Sequence, residues 1–445
     1  MFAKGNRFNA IIFCWFLWLL FCLMIIVFGV VIFNHWWSFG LTHLNQQIIG
    51  AGIILAGFFI GYFATIKLFW VTAMWLSKNN YINLKTNRTI SKGPRIVVVG
   101  GGTGLGTILR GLKKITSHLT AIVTVADDGG SSGRLRQEFG ILPPGDIRSC
   151  LVAMADLEPL MERLMQYRFG GDSGLSGHNF GNLFLAAMTD VTGDFETAIK
   201  ESSKVLAVRG QVLPATLQDV ALKAELADGS IIHGESNISK SRAPIKKVYL
   251  EPETIQPVPE AITAINEADI VILGPGSLFT SIIPNLLVKD IANAIKNSPA
   301  TKIYICNAMT QPGETEKYTA SDHIKSIISH TGPGLMDIAL VNTEEIPQEI
   351  LDRYAEEGAD PVLADLEKIK QYGVTPLGTK IIVKSNVIRH DADKLAKMIF
   401  RLSRTQKFGH RFGRFLIKQF YRLIKGFSVI ALLIPVNSIK KIFMR

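Results

Sequence analysis

The sequence predicts an α/β domain in which a mostly parallel sheet is covered by helices, with a small antiparallel insert and two transmembrane helices ahead of it. Three observations carry this prediction. Short apolar runs, typical of strands buried on both faces, alternate with helix-length segments through the middle of the chain. Two of these runs end in glycine-rich turns that open helices. Two uncharged apolar segments, each long enough to cross a bilayer, precede the domain.

Residues 1–76 are predicted to form a transmembrane hairpin. No charged residue occurs in 10–33 or in 48–66, and each run is long enough to cross about 30 Å of hydrocarbon. Basic residues precede the first run and follow the second, whereas the loop between them has none, so both ends are expected in the cytoplasm. A cleaved signal peptide is the alternative, which the length of the first run disfavours.

The charge of the chain is divided between its ends and its middle. The net charge is +11, yet residues 1–95 and 401–445 hold no acidic residue, so all 37 Asp and Glu lie between them. A nucleic-acid-binding domain would carry its positive charge on the folded face, so no nucleic-acid partner is expected. The nine histidines and four cysteines show no zinc spacing or disulfide framework, which agrees with a reducing compartment.

Residues 77–94 predict a linker, and residues 401–445 predict a basic tail that lies on a membrane surface. The first segment is polar and ends in Gly-Pro. In the tail, Lys and Arg recur at helical spacing beside a row of Phe and Leu, which is typical of a membrane-surface helix. The alternative is a basic helix that packs on the folded domain and leaves its charges in solvent.

The folded domain is expected to span residues 95–400. Its strands are predicted at the short apolar runs 96–99, 121–126, 270–273, 303–307, 338–341 and 380–383. Residues 156–206 hold no strand pattern and are predicted as helices, with Asp194 as the N-cap of a helix over 195–208. Between 212 and 250 apolar and polar residues alternate around a favourable Asp228-Gly229 turn, which predicts the antiparallel insert.

The first candidate site is the glycine turn after the run 96–99. Backbone N–H groups of such a turn, with the positive end of the helix after it, can hold a phosphate. The turn lacks the Gly-Lys-Ser/Thr of a P-loop and has Thr107 where the dinucleotide motif has its third glycine, so a plain tight connection is the alternative. Its candidate ligand-binding residues are Gly101, Gly102, Thr103 and Gly104.

Two adjacent carboxylates, Asp127 and Asp128, follow the second apolar run. In nucleotide-binding sheets a carboxylate at this place contacts ribose hydroxyls or a metal ion. Two like charges repel unless a cation or ligand hydroxyls lie between them, so the pair is a candidate magnesium site. The alternative is a turn in which one Asp caps the following helix.

A second glycine turn follows the run 270–273 and repeats the order of strand, turn and helix. Two such turns at the carboxyl edge of one sheet would bracket a diphosphate. Its candidate residues are Gly274, Gly276 and Ser277. Asn307 ends a later strand at the same edge and is a further candidate, as is Asn342.

Two polar segments without periodicity complete the candidates. His178 and Asn182 are candidates for ligand contact, with a buried structural histidine and asparagine caps as the alternative. Arg148 follows a Pro-Pro-Gly turn and could hold a phosphate or pair with Asp146. No nucleophile–base set stands out by spacing, so the sequence identifies no catalytic residue.

Six segments together resemble the bacterial YvcK, or gluconeogenesis factor, branch of the CofD-like family. They read GGGTGLGTILRGLK, TVADDGGSSGRLR, LPPGDIRSCLVAMA, LAVRGQVLPAT, ADIVILGPGSLFTSIIPNLLV and CNAMTQPGETEKYTASDHI. The resemblance runs from residue 96 to 342 and leaves out the hairpin and the basic tail. It implies a modified Rossmann-like fold whose nucleotide site includes Gly102, Thr103, Gly104, Asp127, Asp128, Asn182, Gly274, Gly276 and Ser277.

The resemblance also implies two functions. Proteins of the YvcK branch are implicated in cell shape and envelope homeostasis under gluconeogenic growth and bind UDP-sugars such as UDP-N-acetylglucosamine. The transferase that names the wider family moves a phospholactyl group from a guanosine diphosphate donor to a deazaflavin precursor, with magnesium. We therefore expect a regulator in the bacterial cell membrane that binds a UDP-sugar or another nucleotide diphosphate, rather than an enzyme. A magnesium-dependent transferase is the alternative, and a homo-oligomer is left open.

Overall fold

The structure is a computed structural model that describes residues 20–34, 43–79, 93–156, 159–172, 174–241, 243–383 and 387–403. The chain divides into two compact units, one of Met1–Ile82 with Lys407–Arg445 and one of Asn83–Gln406. The tail that we predict to lie on a membrane falls outside the described residues from 404 onward, as do the first and middle parts of the hairpin and most of the linker.

In the first unit, two helices pack against each other in antiparallel order. They are α1 (Leu20–Phe33) and α2 (His43–Asn79). The contact uses glycines: a Cβ on Gly50 would lie 2.7 Å from the backbone of Phe33, and one on Gly57 would lie 2.6 Å from Ile26. In the described part of the chain, no single helix meets both the length and the hydropathy of a membrane span.

The second unit is built on a seven-stranded parallel sheet in the order β10-β9-β8-β7-β1-β2-β3. β1 (Ile96–Gly100) lies between β2 (Leu119–Val123) and β7 (Ile270–Leu273), and all three are fully buried. The sheet continues as β3 (Gln211–Pro214) on one side and as β8 (Thr301–Ile305), β9 (Ile338–Asn342) and β10 (Thr375–Thr379) on the other. This arrangement confirms the parallel α/β fold.

Helices cover this sheet and bury the apolar core between the layers. They are α3 (Gly102–Leu112), α4 (Gly130–Phe139), α5 (Gly145–Met154), α6 (Pro159–Gln166), α7 (Phe180–Thr192), α8 (Phe195–Val205), α9 (Glu235–Ile238), α10 (Pro259–Glu267), α11 (Ile283–Leu287), α12 (Lys289–Asn297), α13 (Ala320–Thr331), α14 (Gln348–Glu356), α15 (Leu366–Lys370) and α16 (392–403). Asp194 caps α8 as expected, with its side chain accepting from the N–H of Thr197 at 2.8 Å. The helix ends at Val205, three residues before the predicted end.

The antiparallel insert is confirmed as a separate three-stranded sheet of order β5-β4-β6. Its strands are β4 (Ala221–Leu226), β5 (Ile231–His233) and β6 (Ile245–Glu251). The predicted Asp228-Gly229 turn joins β4 to β5, and Gly229 adopts a φ of 85° that side chains disfavour.

Two strand predictions are wrong, and both concern sheet edges. Gln211–Pro214 joins the parallel sheet as its edge strand, although we assigned the stretch from residue 212 to the insert. At the other edge the strand is Thr375–Thr379, whereas the predicted run 380–383 contributes only the short hairpin of β11 (Ile382–Val383) with β12 (Arg389–His390). Each edge strand contains a proline and no more than two consecutive apolar residues besides it, so it lacks the uninterrupted apolar run on which the prediction depends.

The strand order reverses direction between β1 and β7. From β1 the chain proceeds outward to β2 and β3, and from β7 it proceeds to the opposite edge through β8, β9 and β10. The connections that follow β1 and β7 therefore leave toward opposite faces of the sheet. A crevice opens between them at the carboxyl ends of these two strands. Ligands of open α/β sheets bind in such a crevice.

Candidate functional site

A cavity of about 530 Å³ opens at the carboxyl ends of β1 and β7, where the topology predicts a ligand. Both glycine turns line it, together with residues from β2, from the insert and from the segments after β8 and β11. Eight of the residues predicted from the sequence line the cavity: Gly101, Gly102, Thr103, Gly104, Asp127, Gly276, Ser277 and Asn307. Six of the candidates do not: Asp128, Arg148, His178, Asn182, Gly274 and Asn342.

The first glycine turn leaves no room for side chains. Gly102 adopts a φ of 67°, and a Cβ on Gly101 would lie 2.5 Å from Oδ2 of Asp146. Helix α3 begins at Gly102, so its first N–H groups and its positive end face the cavity. Because Thr103 is exposed there, its hydroxyl is available to a ligand as well.

The second glycine turn packs directly on the first. A Cβ on Gly104 would lie 2.7 Å from the carbonyl oxygen of Pro275, and one on Gly276 would lie 3.3 Å from the carbonyl oxygen of Gly101. Gly274 lies outside the lining but adopts a φ of 76°, which turns the chain toward the cavity. The two turns therefore form one continuous backbone surface, here called the glycine cradle (Gly101–Gly104 with Gly274–Ser277).

Buried polar side chains hold the glycine cradle in place. Asn285, which is fully buried, donates from Nδ2 to the carbonyl oxygens of Gly100 at 3.0 Å and Ser281 at 2.7 Å. Glu314 accepts from the N–H of Phe279 at 3.2 Å and from the hydroxyl of Thr280 at 2.9 Å, and burial raises its pKa. These bonds link β1 to the helical turn after Ser277, so the spacing of the two turns is fixed.

The two adjacent aspartates, which the sequence predicts as a magnesium site, contact different parts of the structure. Asp127 lines the cavity, and its Oδ1 accepts from the N–H of Gly129 at 2.9 Å. Asp128 accepts instead from the N–H of Ser236 in the insert, also at 2.9 Å. Within the described residues, no group of three or more His, Cys, Asp and Glu is arranged to hold a metal ion.

The cavity is lined by Asp146 together with Asp127, whereas the sequence predicts Asp128 there. Burial, together with the charge of Asp127, raises the pKa of Asp146 to about 6, against the opposing effects of the Gly102 N–H and Arg148. Arg148 does not line the cavity, and its Nη2 donates to the hydroxyl of Ser149 at 3.1 Å. Arg148 and Asp146 are near enough for the charge of each to shift the pKa of the other.

His178 and Asn182 fit the structural alternative. His178 is buried, and its Nδ1 lies 3.3 Å from the hydroxyl of Ser131. The N–H of Asn182 donates to Oδ1 of Asn179, which caps α7. Asn342 likewise turns inward, because its side chain bonds to the backbone of Glu344. These residues shape the second unit beside the cavity, but they do not line it.

A short chain of amides orients the hydroxyl of Ser277. Asn307 donates from Nδ2 to Oε1 of Gln311 at 3.3 Å, and Gln311 donates from Nε2 to Oγ of Ser277 at 2.8 Å. Since Oγ of Ser277 already accepts a hydrogen bond, its own proton is free to point into the cavity. Gln311 was not among our candidates, although it lies in one of the six segments that carry the resemblance.

Three more lining residues were missed because they come from distant parts of the chain. Glu235 belongs to the insert, and burial with the charges of Asp127, Glu314, Asp128 and Asp146 raises its pKa to about 7. Arg389 and His390 belong to β12. Burial lowers the pKa of His390 to about 4, and its Nε2 lies 3.1 Å from the carbonyl oxygen of Cys306. No local pattern marks any of the three as a site residue.

The charges in the cavity are separated. Asp127, Asp146 and Glu235 come from the β2 side and the insert, whereas Arg389 comes from the hairpin after β10. The glycine cradle lies between these groups and offers backbone N–H donors. Such an arrangement can hold an anionic centre flanked by a polar, hydroxyl-bearing group.

Comparisons with known proteins agree with this architecture. Residues 96–382 match the family described as 2-phospho-L-lactate transferase CofD. The gluconeogenesis factor of Bacillus subtilis is 54% identical over 310 residues, which are 69% of this chain and 98% of that protein. The gluconeogenesis factor of Halalkalibacterium halodurans is 52% identical over 309 residues, which are 69% of this chain and 96% of that protein.

A solved structure shows the same fold. The crystal structure of a UPF0052 family protein from Bacillus halodurans is 52% identical to this chain and superposes with a TM-score of 0.67. The match covers 69% of this chain and 99% of that one. The chain therefore belongs to the CofD family, among relatives that are named gluconeogenesis factors.

Proposed function

We propose that this protein is a regulator that binds a nucleotide diphosphate sugar, of the kind of UDP-N-acetylglucosamine, and adjusts envelope growth and cell shape to gluconeogenic carbon supply. The observation that carries the proposal is the glycine cradle, in which two turns from adjacent strands touch through their backbones at the reversal of strand order. Each turn supplies N–H donors, so together they suit two linked phosphates better than one.

The rest of the cavity supports a ligand that extends beyond the diphosphate. Its volume of about 530 Å³ lies within the usual range for small-molecule sites. Asn307, Gln311 and Arg389 line it on one side of the cradle and Glu235 on the other, so both ends of the ligand can be hydrogen-bonded. The names of the relatives support a role in gluconeogenic growth.

A transferase is the second candidate function, and the pair of Asp127 and Asp146 favours it. The family is described by its 2-phospho-L-lactate transferase. Both carboxylates line the cavity, and the charge of Asp127 raises the pKa of Asp146, which fits a divalent cation. Mg²⁺ is commonly bound by one or two carboxylates together with substrate phosphates. When bound, it would neutralise the diphosphate and assist the departure of a phosphate group.

Calorimetric titration of the full-length protein separates the two candidates. UDP-N-acetylglucosamine and GDP are titrated in magnesium and in chelator, and the ligand is then recovered and analysed. Saturable binding that prefers the UDP-sugar and returns it intact is the result expected of a regulator. Preference for GDP, or chemical turnover of either ligand, would establish the transferase instead.

We also propose that the first unit anchors the protein in the bacterial cell membrane, with the second unit in the cytoplasm. The proposal is supported by large apolar side chains that remain exposed on α1 and α2, such as Met24 at 62%, Leu55 at 67% and Phe59 at 68%. Alkaline washing of membranes should leave the full-length protein in the pellet and release a variant that lacks residues 1–76. Release of the full-length protein by the same wash would contradict the anchor.

A further inference from the structure

The antiparallel insert reaches the cavity through Glu235, the first residue of α9. Besides burial, the charges that raise the pKa of its carboxylate most are those of Asp127, Glu314, Asp128 and Asp146. No described residue donates a hydrogen bond to this carboxylate. A carboxylate that lines a ligand cavity without a donor from its own chain is free to accept one from the ligand.

Asp128 fixes the position of α9 and therefore of Glu235. Its Oδ1 accepts from the N–H of Ser236 at 2.9 Å. Gly234 adopts a φ of 91°, and a Cβ at this position would overlap Oδ2 of Asp128, so the carboxylate fits closely into the bend before α9. At the other end of α9, Ile238 is fully buried in the main core. Contacts at Gly234 and at Ile238 therefore hold α9 in place on both sides of Glu235.

The place of Glu235 relative to the sheet indicates which part of a nucleotide it meets. In doubly wound folds, a carboxylate beside the end of the second strand hydrogen-bonds the ribose of the nucleotide whose phosphates lie on the glycine turn. Here the first residue at that place, Asp127, faces Asp146, and the second, Asp128, faces the insert. Glu235 is the remaining carboxylate on this side of the glycine cradle.

We propose that Glu235 accepts a hydrogen bond from a ribose hydroxyl of the bound nucleotide, and that Asp128 is a positioning residue that holds Glu235 there. The inference rests on the proposed function, since it assumes that the glycine cradle holds a nucleotide diphosphate. It assigns to the insert a direct part in ligand selection. The site therefore prefers ribonucleotides to deoxyribonucleotides.

The test compares UDP with its 2′-deoxy and 3′-deoxy analogues by calorimetry on the full-length protein in magnesium. In the wild type, removal of the contacted hydroxyl should weaken binding about tenfold or more, as expected of a hydrogen bond to a charged group. Glu235→Ala should bind UDP about as weakly as the wild type binds the analogue that lacks the contacted hydroxyl. The variant should also bind UDP and this analogue with equal affinity. Glu235→Gln keeps an acceptor oxygen and should retain part of the preference.

The positioning role of Asp128 is tested by the ratio of the affinities for UDP and for the deoxy analogue. Replacement of a residue with only a structural role would leave this ratio unchanged. Asp128→Ala should lower the preference for UDP over the analogue, and Asp128→Asn should restore most of it because its Oδ1 can still accept from Ser236. Asp228→Ala, an exposed change in the turn of the same insert, is the matched control and should leave the ratio unchanged.

Each result distinguishes this inference from the proposed function. If the wild type does not bind UDP, the proposed function fails. If it binds UDP and Glu235→Ala keeps the wild-type ratio, the function stands and the ribose contact is wrong. If the only change in Glu235→Ala is that UDP binding needs more magnesium to reach half its maximum, Glu235 is a cation ligand. This result would overturn the inference. An Asp128→Ala variant that melts earlier but keeps the ratio would overturn the positioning role.

Discussion

At the scale of the residue, neighbours in sequence serve different parts of the site. Asp127 and Asp128 follow β2 in a segment without regular secondary structure, and their carboxylates accept hydrogen bonds from different parts of the chain. One carboxylate therefore reaches the cavity and the other reaches the insert. The acid that faces Asp127 is Asp146, which comes from the start of α5.

The Asp127→Ala variant should bind the nucleotide diphosphate at least tenfold more weakly in magnesium and should remain folded. Its carboxylate lines the cavity and contributes little to the core, so the loss concerns the ligand and any cation held with it. Calorimetry gives the affinity, and circular dichroism gives the melting temperature. Unchanged affinity in the folded variant would remove Asp127 from the site.

The stability of the second unit should fall as pH rises from about 4 to 6, in part because of Asp146. The pKa of Asp146 is raised from 3.8 to about 6 in the folded protein, so the folded state binds more protons than the unfolded state between these values. The stabilisation is fully present below the lower value and is lost above the higher one. Asp146→Asn should remove this slope and stabilise the protein at pH 8 by on the order of 1–3 kcal/mol.

The measurement for Asp146 is the melting temperature at pH 5 and pH 8, for the wild type and for Asp146→Asn. The amide keeps an oxygen that can accept from the Gly102 N–H, so the geometry of the turn is retained. A variant whose melting temperature falls at pH 8 would show that the charged form of Asp146 stabilises the fold.

At the scale of the element, the site consists mainly of backbone held by buried side chains. Strands β1 and β7 are adjacent and parallel, so the turns after them meet at one edge of the sheet. Their contact leaves no room for a Cβ at Gly104. Asn285 then bonds the helical segment after the second turn to the end of β1, and Glu314 accepts two hydrogen bonds from the same segment. The cradle is therefore rigid before any ligand arrives, which lowers the entropy lost on binding.

Two glycine substitutions in the same helix test this contact. Alanine normally stabilises a helix position by about 0.5–1 kcal/mol relative to glycine. In Gly104→Ala the new Cβ would meet the carbonyl oxygen of Pro275 at 2.7 Å, so the two turns must separate. We expect a loss of about 1–3 kcal/mol in the free energy of unfolding and a large loss of ligand affinity.

Gly106→Ala is the matched control for Gly104→Ala. Its Cβ would meet Cβ of Ala153 at 3.7 Å, which is an ordinary van der Waals distance. This variant should keep both affinity and stability, as measured by calorimetry and by urea unfolding. If Gly104→Ala and Gly106→Ala have the same ligand affinity and the same free energy of unfolding, the contact between the two turns contributes to neither.

At the scale of the whole molecule, the unit that contains the cavity is joined to a unit of different composition. The family match ends within the second unit, and the acidic residues of the chain are confined to it and its flanks. The cavity is built entirely from residues of the second unit. Ligand binding should therefore not require the first unit.

Saturating ligand should stabilise the second unit by an amount set by mass action. At a hundred times Kd, UDP-N-acetylglucosamine should raise its free energy of unfolding by about 2.7 kcal/mol. Calorimetric melting of the full-length protein and of a variant without residues 1–76 should show the same shift. A shift that disappears with residues 1–76 would mean that the first unit takes part in binding.

Much of the fold was predictable because each buried parallel strand is a short, uninterrupted run of apolar residues in the sequence. The runs that became β1, β2, β7, β8 and β9 are apolar and were identified within a few residues. The edge strands Gln211–Pro214 and Thr375–Thr379 were missed because each contains a proline and too few apolar residues to give such a run. The glycine turns were found from local order, whereas Glu235, Gln311 and Arg389 carry no pattern that marks them as site residues.

The sequence by itself determined the parallel α/β fold, the two glycine turns at one sheet edge and the family, because strand burial, turn conformation and motif spacing are local properties of the chain. Only the tertiary structure decided which polar residues line the cavity. It separated Asp127 from Asp128, paired Asp127 with Asp146 and brought Glu235 and Arg389 to the same space. These choices depend on contacts between segments about twenty to nearly three hundred residues apart, and the packing of strands and helices around one core sets such contacts.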